Sequence, residues 1–222
     1  MQWVRGGHKV AWLNAWLSQK EPLDSVLSHI PDLGLLREIR TDGAVEAALM
    51  IAVPGDTPPA LSQPMDQVTL TCGFRVDLLD DRQRILLALA PGDQGWIAER
   101  AGSSHRLTRD HLRHLSRTLD EVVIQIANET AALDLVGDRR EVDQALDRLD
   151  RELSTFDWPA SMTRERWSVL KKAARILVVL NVADRASSSV LSSSLHAQRY
   201  QALHQLGAPA RRAAEAAFSL ER

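Results

Sequence analysis

The 222-residue sequence predicts an α+β fold: a small antiparallel meander sheet with flanking helices, followed by an all-helical C-terminal half built as a helical hairpin or bundle. Three observations lead there. The chain changes character at about residue 107, from short apolar segments to long stretches with apolar side chains every three or four positions. Before that point, Asp42-Gly43, Asp80-Asp81-Arg82 and Pro91-Gly92-Asp93 punctuate the apolar segments with turn chemistry. After it, Leu112, Leu119, Ile126 and Leu133 recur at every seventh residue. The division is drawn as 1–107, sheet-bearing, and 108–222, helical, with one continuous domain as the alternative.

Taken in order, residues 8–20 read as a short amphipathic helix with Trp12, Leu13, Trp16 and Leu17 at helical spacing. Pro22 favours a second helical start, and Pro31 stops it after Ile30. Leu35–Arg40 and Ala44–Val53 flank Thr41-Asp42-Gly43, which reads as a hairpin, since Asp-Gly between apolar runs suits a two-residue turn. Pro54–Pro64 reads as an exposed loop. Gln67–Leu79 reads as a strand, because Val68, Leu70, Cys72, Phe74 and Val76 alternate with polar residues. Strands over Arg84–Ala90 and Gly95–Arg100 complete a sheet of four or five.

Thr108 is a suitable N-cap, with Asp110 placed to complement the helix dipole. The heptad row, joined by a companion row of Leu115, Val122 and Val136 that is broken at Glu129, forms a seam for another helix and ends at Gly137-Asp138. Val142, Leu146, Leu149 and Leu153 continue the pattern on an Asp/Arg-rich helix, so 108–155 reads as an antiparallel helical hairpin. Trp158-Pro159 breaks the chain before a third helix carrying Trp167, Leu170, Ala174, Leu177 and Leu180. The serine-rich stretch Ser187–Ser194 precedes helical Leu195–Leu206, and an alanine-rich helix covers 209–220.

Composition narrows the function classes. A chain of this size buries roughly 70% of its unfolded surface, enough to fold without disulfides or metals. The formal charge of −2 calls for no polyanionic partner, so no nucleic acid is expected. Arginine outnumbers lysine 23 to 4, which suggests a GC-rich bacterial source. Cys72 is the single cysteine, which excludes an intrachain disulfide and Cys-rich metal sites, and its apolar setting suits packing better than reactivity. Val10–Leu17 is too short and too polar at Asn14 for a secretory leader. The apolar run Ala173–Ala183 is about half of what spans a bilayer, so a cytoplasmic location with no membrane span is expected.

Candidate chemistry is sparse. Arg109-Asp110-His111-Leu112-Arg113-His114 fits the Arg-polar-x-x-x-His pattern of HEPN-type ribonucleases, in which Arg109 and His114 would handle a scissile phosphate at a helix end. Arg-x4-His also occurs at Arg100/His105, Arg106/His111 and Arg199/His204, as expected by chance in so arginine-rich a chain, so a solvated basic first turn is the simpler reading. His105, His111 and His114 lack the carboxylate spacing of a metal helix, and no metal or other cofactor is expected. Asp143, Asp147 and Asp150 are interleaved with arginines and read as helical ion pairs. Phosphate-binding glycine loops and a Gly-x-Ser-x-Gly elbow are absent. Six tryptophans, three of them within the first sixteen residues, suit core packing or an aromatic docking stripe.

The order helix, antiparallel meander, then a helix opening Leu107-Thr108-Arg109-Asp110-His111-Leu112 resembles the small α+β module of type III secretion chaperones and YbjN-like proteins. The likeness spans residues 21–127 and includes a hairpin at Arg84–Ala90. It implies a dimeric binding module that holds a partly unfolded client segment, and it transfers no site residue. The resulting expectation is a non-enzymatic binding protein, either a chaperone-like adaptor or an assembly subunit. Trp12, Trp16, Leu112, Leu119, Ile126 and Leu133 are its candidate partner-binding residues. A HEPN-like nuclease using Arg109 and His114, and a structural homodimer through the 108–155 hairpin, are the alternatives.

Overall fold

A computed structural model describes residues 2–52, 62–92, 95–101, 111–130, 139–187 and 205–220. The chain forms two compact units. The first comprises Met1–Arg109, Trp158–Thr163 and Phe218–Arg222, so the sheet-bearing unit recruits two short segments from far along the sequence. The second comprises Asp110–Asp157 and Arg164–Ala217.

The first unit carries helices α1 (Gln2–Leu17), α2 (Leu23–Leu27) and α3 (Leu33–Thr41), strand β1 (Glu46–Ile51), helix α4 (Gln63–Cys72) and strands β2 (Phe74–Leu79), β3 (Ile85–Gly92) and β4 (Gly95–Arg100). The four strands form one antiparallel sheet in the order β1-β2-β3-β4. This is the expected α+β meander.

Residue alternation sets what each sheet face meets. Phe74 lies against α1, where a Cβ at Gly6 would sit 2.2 Å from its ring. Its neighbour Arg75 points the other way, 3.8 Å from Asp66 on α4. Helices α1 and α4 therefore cover opposite faces. Ala47, Leu49, Val76, Leu78, Leu87 and Leu89 form the core beneath α1. Helix α1 is itself buried over most of its surface from Val4 to Trp16, with Arg5 and Lys9 on its more open side.

Two segments read as strands are helices. Leu35–Arg40 lies in α3, and the Asp-Gly step after it is a helix stop instead of a hairpin turn. Asp32 Oδ1 accepts from the Leu35 amide at the N-terminus. At the other end Gly43, with φ +76°, donates to the Arg40 carbonyl, and the Ala44 amide reaches back to Ile39. That pair of bonds is a Schellman cap, which needs a left-handed residue where Gly43 stands.

The second correction is Gln67–Cys72, which belongs to α4. Met65, Val68, Thr69 and Cys72 turn inward at helical spacing, while Leu70 is 50% exposed. Ser62 caps the start and left-handed Gly73 ends the helix with a bond to the Thr69 carbonyl. The true strand begins only at Phe74.

The second unit holds α5 (Leu112–Thr130), α6 (Arg139–Thr155), α7 (Arg164–Ser187) and α8 (Gly207–Phe218), whose last residue, Phe218, belongs to the first unit. Helix α7 packs against both α5 and α6. Ile126 of α5 joins Leu180 and Leu206 in a cluster flanked by Val122, Val123, Ile176 and Leu177. Among the described residues no helix is long and apolar enough to cross a membrane.

Candidate functional site

Trp12 and Trp16 are interior residues, while Trp3 is half-buried, so Trp12 and Trp16 do not form an exposed docking stripe. Trp12 is 6% and Trp16 4% exposed. The Trp12 indole Nε1 donates to His8 Nε2 at 3.1 Å, and its ring stacks on His29 with centroids 4.2 Å apart. His8 in turn meets Trp158 edge-on, and Trp158 stacks on Phe218. Trp16 is capped by the Arg40 guanidinium, 5.1 Å above its ring. An indole buried with its N–H satisfied stabilises the fold and offers no surface to a partner.

Three of the four heptad residues are likewise taken up inside the chain. Leu112, Leu119 and Ile126 are all buried, and Leu133 lies outside the described residues. They are therefore core and do not form an exposed seam, because the leucine row of α5 is the stripe it buries. The ion pairs of this unit run between helices. Asp150 accepts from Arg175 at 2.8 Å and lies 3.4 Å from Lys171, both on α7, while Asp120 of α5 holds Lys172 at 2.5 Å. The arginines of α6 that interleave with its aspartates turn back to backbone carbonyls, Arg148 to Gln144 and Arg151 to Asp147. Exposed pairs of this kind contribute about 1 kcal/mol or less.

His111 and His114 are exposed at the start of α5, and Arg113 pairs with Glu165 at 3.1 Å. Arg109, the other member of the phosphate-handling pair, lies outside the described residues, as does His105. Among the described residues no group of three or more His, Cys, Asp or Glu is placed to hold a metal.

Sequence reasoning missed a polar layer on the sheet face beneath α4. Arg75 and Asp77 are fully buried there, joined by Nε–Oδ1 at 2.8 Å and Nη2–Oδ2 at 3.2 Å. Glu46, 2% exposed, accepts from Gln83 at 3.0 Å and from the Leu220 amide at 3.1 Å. Glu99 receives both the amide and the hydroxyl of Ser62, tying the start of α4 to β4. The signal was present in Phe74-Arg75-Val76-Asp77: two opposite charges two residues apart in an apolar strand share one face. Paired to each other and packed under a helix, Arg75 and Asp77 tie the sheet to its covering layer.

Two features remain open to a partner. The first is an apolar cavity of about 200 Å³ in the second unit, lined by Leu146, Ile176, Val179, Leu180 and Leu206, with Arg175 at its edge. Sites for drug-sized ligands and cofactors run to roughly 300–1,000 Å³, so this one suits a single large side chain. The second is β4, where Ile97 is 43% exposed and Arg100 reaches Glu38 and Asp42 of α3 at 3.0 and 2.8 Å. Lys9 of α1 lies over the Trp96 ring at 4.9 Å, and burial lowers its pKa below the ordinary lysine value.

Residues 113–215 match the family model described as Rv1486c-like protein, C-terminal domain. That span is a little under half of the chain and takes in α6 and α7 whole, with most of α5 and α8. No curated protein and no solved structure matches the chain.

Proposed function

We propose that this chain is a non-enzymatic binding protein, of the adaptor or assembly-subunit kind. The cavity in the second unit carries this reading. It is apolar, it is too small for a nucleotide or a prosthetic group, and the charged residue at its edge, Arg175, already pairs with Asp150. A leucine, methionine or phenylalanine presented by a partner would find apolar walls with Arg175 beside them, the arrangement by which one anchor side chain supplies most of an interface's energy. The buried charges of the first unit are paired structurally, which leaves binding as the work for which the geometry is suited.

The test is quantitative affinity capture with the full chain, wild type against Val179→Phe, which fills the cavity while keeping its apolar lining. A partner held at near-equal stoichiometry by the wild type and lost from the variant, with melting temperature unchanged, supports the proposal. Identical partner profiles sink it. RNA cleavage that disappears in Arg109→Ala and His114→Ala at unchanged melting temperature would replace it with the nuclease alternative.

A further inference from the structure

The two edges of the sheet are finished differently. The β1–β2 register and the Ala52 amide bonded to Gly73 place the amides and carbonyls of Ala47, Leu49 and Ile51 on the outer side of β1. Asn14 occupies that edge at its first outward residue, Ala47. Its Oδ1 accepts from the Ala47 amide at 2.7 Å, and its Nδ2 donates to the Ala47 carbonyl at 2.8 Å. One amide side chain thus imitates a neighbouring strand and closes the edge at Ala47.

Strand β4 has no such cover among the described residues. The Ala101 amide donates to the Leu86 carbonyl, and the β3–β4 register runs without a shift from Leu87↔Arg100 to Gly92↔Gly95. Alternation along an antiparallel pair then turns the amides and carbonyls of Trp96, Ala98 and Arg100 away from β3. Natural sheets guard such an edge with charged side chains, proline or a bulge. Strand β4 has no lysine, proline or bulge, and its two charges are held within the chain, Glu99 by Ser62 and Arg100 by Glu38 and Asp42.

We infer that β4 is a pairing edge and that its occupant is a second copy of this chain, joined antiparallel about a two-fold axis at Ala98. The choice of a second copy rests on the register. Centring on Ala98 sets the outward groups of Trp96, Ala98 and Arg100 against those of Arg100, Ala98 and Trp96 in the other copy, so every one of them finds a partner. The two-fold keeps like face with like. Each Trp96, with Lys9 over its ring, stands across from Arg100, which keeps its pairs to Glu38 and Asp42, and Ile97 stands across from Glu99. No like charges oppose one another, and the smallest side chain of the outward set lies on the axis. The contact is isologous and closes after two chains, giving one continuous sheet through both copies. It is independent of the cavity in the second unit.

The experiment is sedimentation and light scattering of the full chain across a dilution series, for wild type and Ala98→Pro. The Ala98 amide faces away from β3, so proline there removes no bond within the chain. The wild type should have twice the 24.7 kDa chain mass, and Ala98→Pro should have the single mass at an unchanged melting temperature. Ala98→Cys in a Cys72→Ser background gives a second measurement. A hydrogen-bonded antiparallel pair sets Cα atoms about 5.5 Å apart, within the roughly 4.4–6.8 Å span of a disulfide. Oxidation should therefore cross-link the two copies, whereas Ile97→Cys, facing Glu99 across the joint, should not. A wild type that is monomeric throughout, an Ala98→Pro protein that remains dimeric, or an Ala98→Cys protein that does not cross-link overturns the inference.

Discussion

Asn14 is the side chain on which the first unit most depends. Besides closing β1 at Ala47, its Nδ2 donates to the Phe218 carbonyl at 2.8 Å, so a single residue joins α1, the sheet and the end of α8. Replacing it with alanine leaves three buried backbone groups without partners, at about 1 kcal/mol or more each. Asn14→Ala should therefore lower unfolding free energy by about 3 kcal/mol in a urea titration, and a loss below about 1 kcal/mol would show that the edge is closed by something else. Asp80 makes a different argument. Burial works against its charge, but the Arg84 amide and guanidinium and the Arg82 amide outweigh that and hold its pKa below the ordinary 3.8. A depressed carboxylate stabilises the fold above its unfolded pKa and ceases to do so as pH falls through the folded one. The stability gap between wild type and Asp80→Asn should be widest at neutral pH and close below pH 3.8, and a gap that persists in acid would refute the charged role.

At the level of elements, the close approach of α1 to its neighbours depends on a glycine pair. A Cβ at Gly6 would stand 2.2 Å from the Phe74 ring, and one at Gly7 2.3 Å from the Phe218 ring. Both rings are buried and have little room to yield. Alanine in a helix gains about 1 kcal/mol over glycine, but forced overpacking costs about 1–3 kcal/mol. Overlap this deep lies at the upper end, so Gly6→Ala and Gly7→Ala should each lower the melting temperature, and a rise in either would mean that α1 can shift. The glycine pair was invisible in the sequence because its partners lie 68 and 211 residues away. Helices α5, α6 and α7 were legible because apolar spacing is a local signal, and so were β3 and β4. The helix pairing was not: α7 packs against both α5 and α6 where a 108–155 hairpin was expected. Helices α3 and α4 were misread where local signals conflicted. Asp42-Gly43 serves a hairpin or a Schellman cap equally well, and Val68, Leu70 and Cys72 imitate a strand unless Met65 and Thr69 are counted on the same face. Of the candidate site residues, Trp12, Trp16, Leu112, Leu119 and Ile126 were identified as apolar anchors, but spacing alone does not say whether an apolar stripe meets its own chain or another. The cavity and the open edge depend on contacts between distant segments and left no local trace.

For the molecule as a whole, the first unit is not contiguous in sequence, and this limits how the chain can be cut. The change of character near residue 107 suggests a sheet-bearing fragment ending there. That fragment would lack Trp158, whose ring meets His8, and Phe218, which is 1% exposed and fills the space left by Gly7. It would also lose the Phe218 carbonyl from Asn14 and the Leu220 amide from the buried Glu46 carboxylate. Removing one buried phenylalanine costs about 3–5 kcal/mol, and domains of this size have only about 5–15 kcal/mol in total. Losing a phenylalanine, a tryptophan and two buried hydrogen bonds together exceeds what the remaining packing can absorb. Residues 1–109 alone should keep helical far-ultraviolet dichroism but lose the near-ultraviolet tryptophan signal, bind a hydrophobic dye and melt without a cooperative transition. A fragment with a sharp melt and native-like tryptophan dichroism would show that the carboxy-terminal segment is an ornament. If the transition is instead restored by adding a peptide spanning residues 205–222, the last turn of α8 is the final piece of the amino-terminal core.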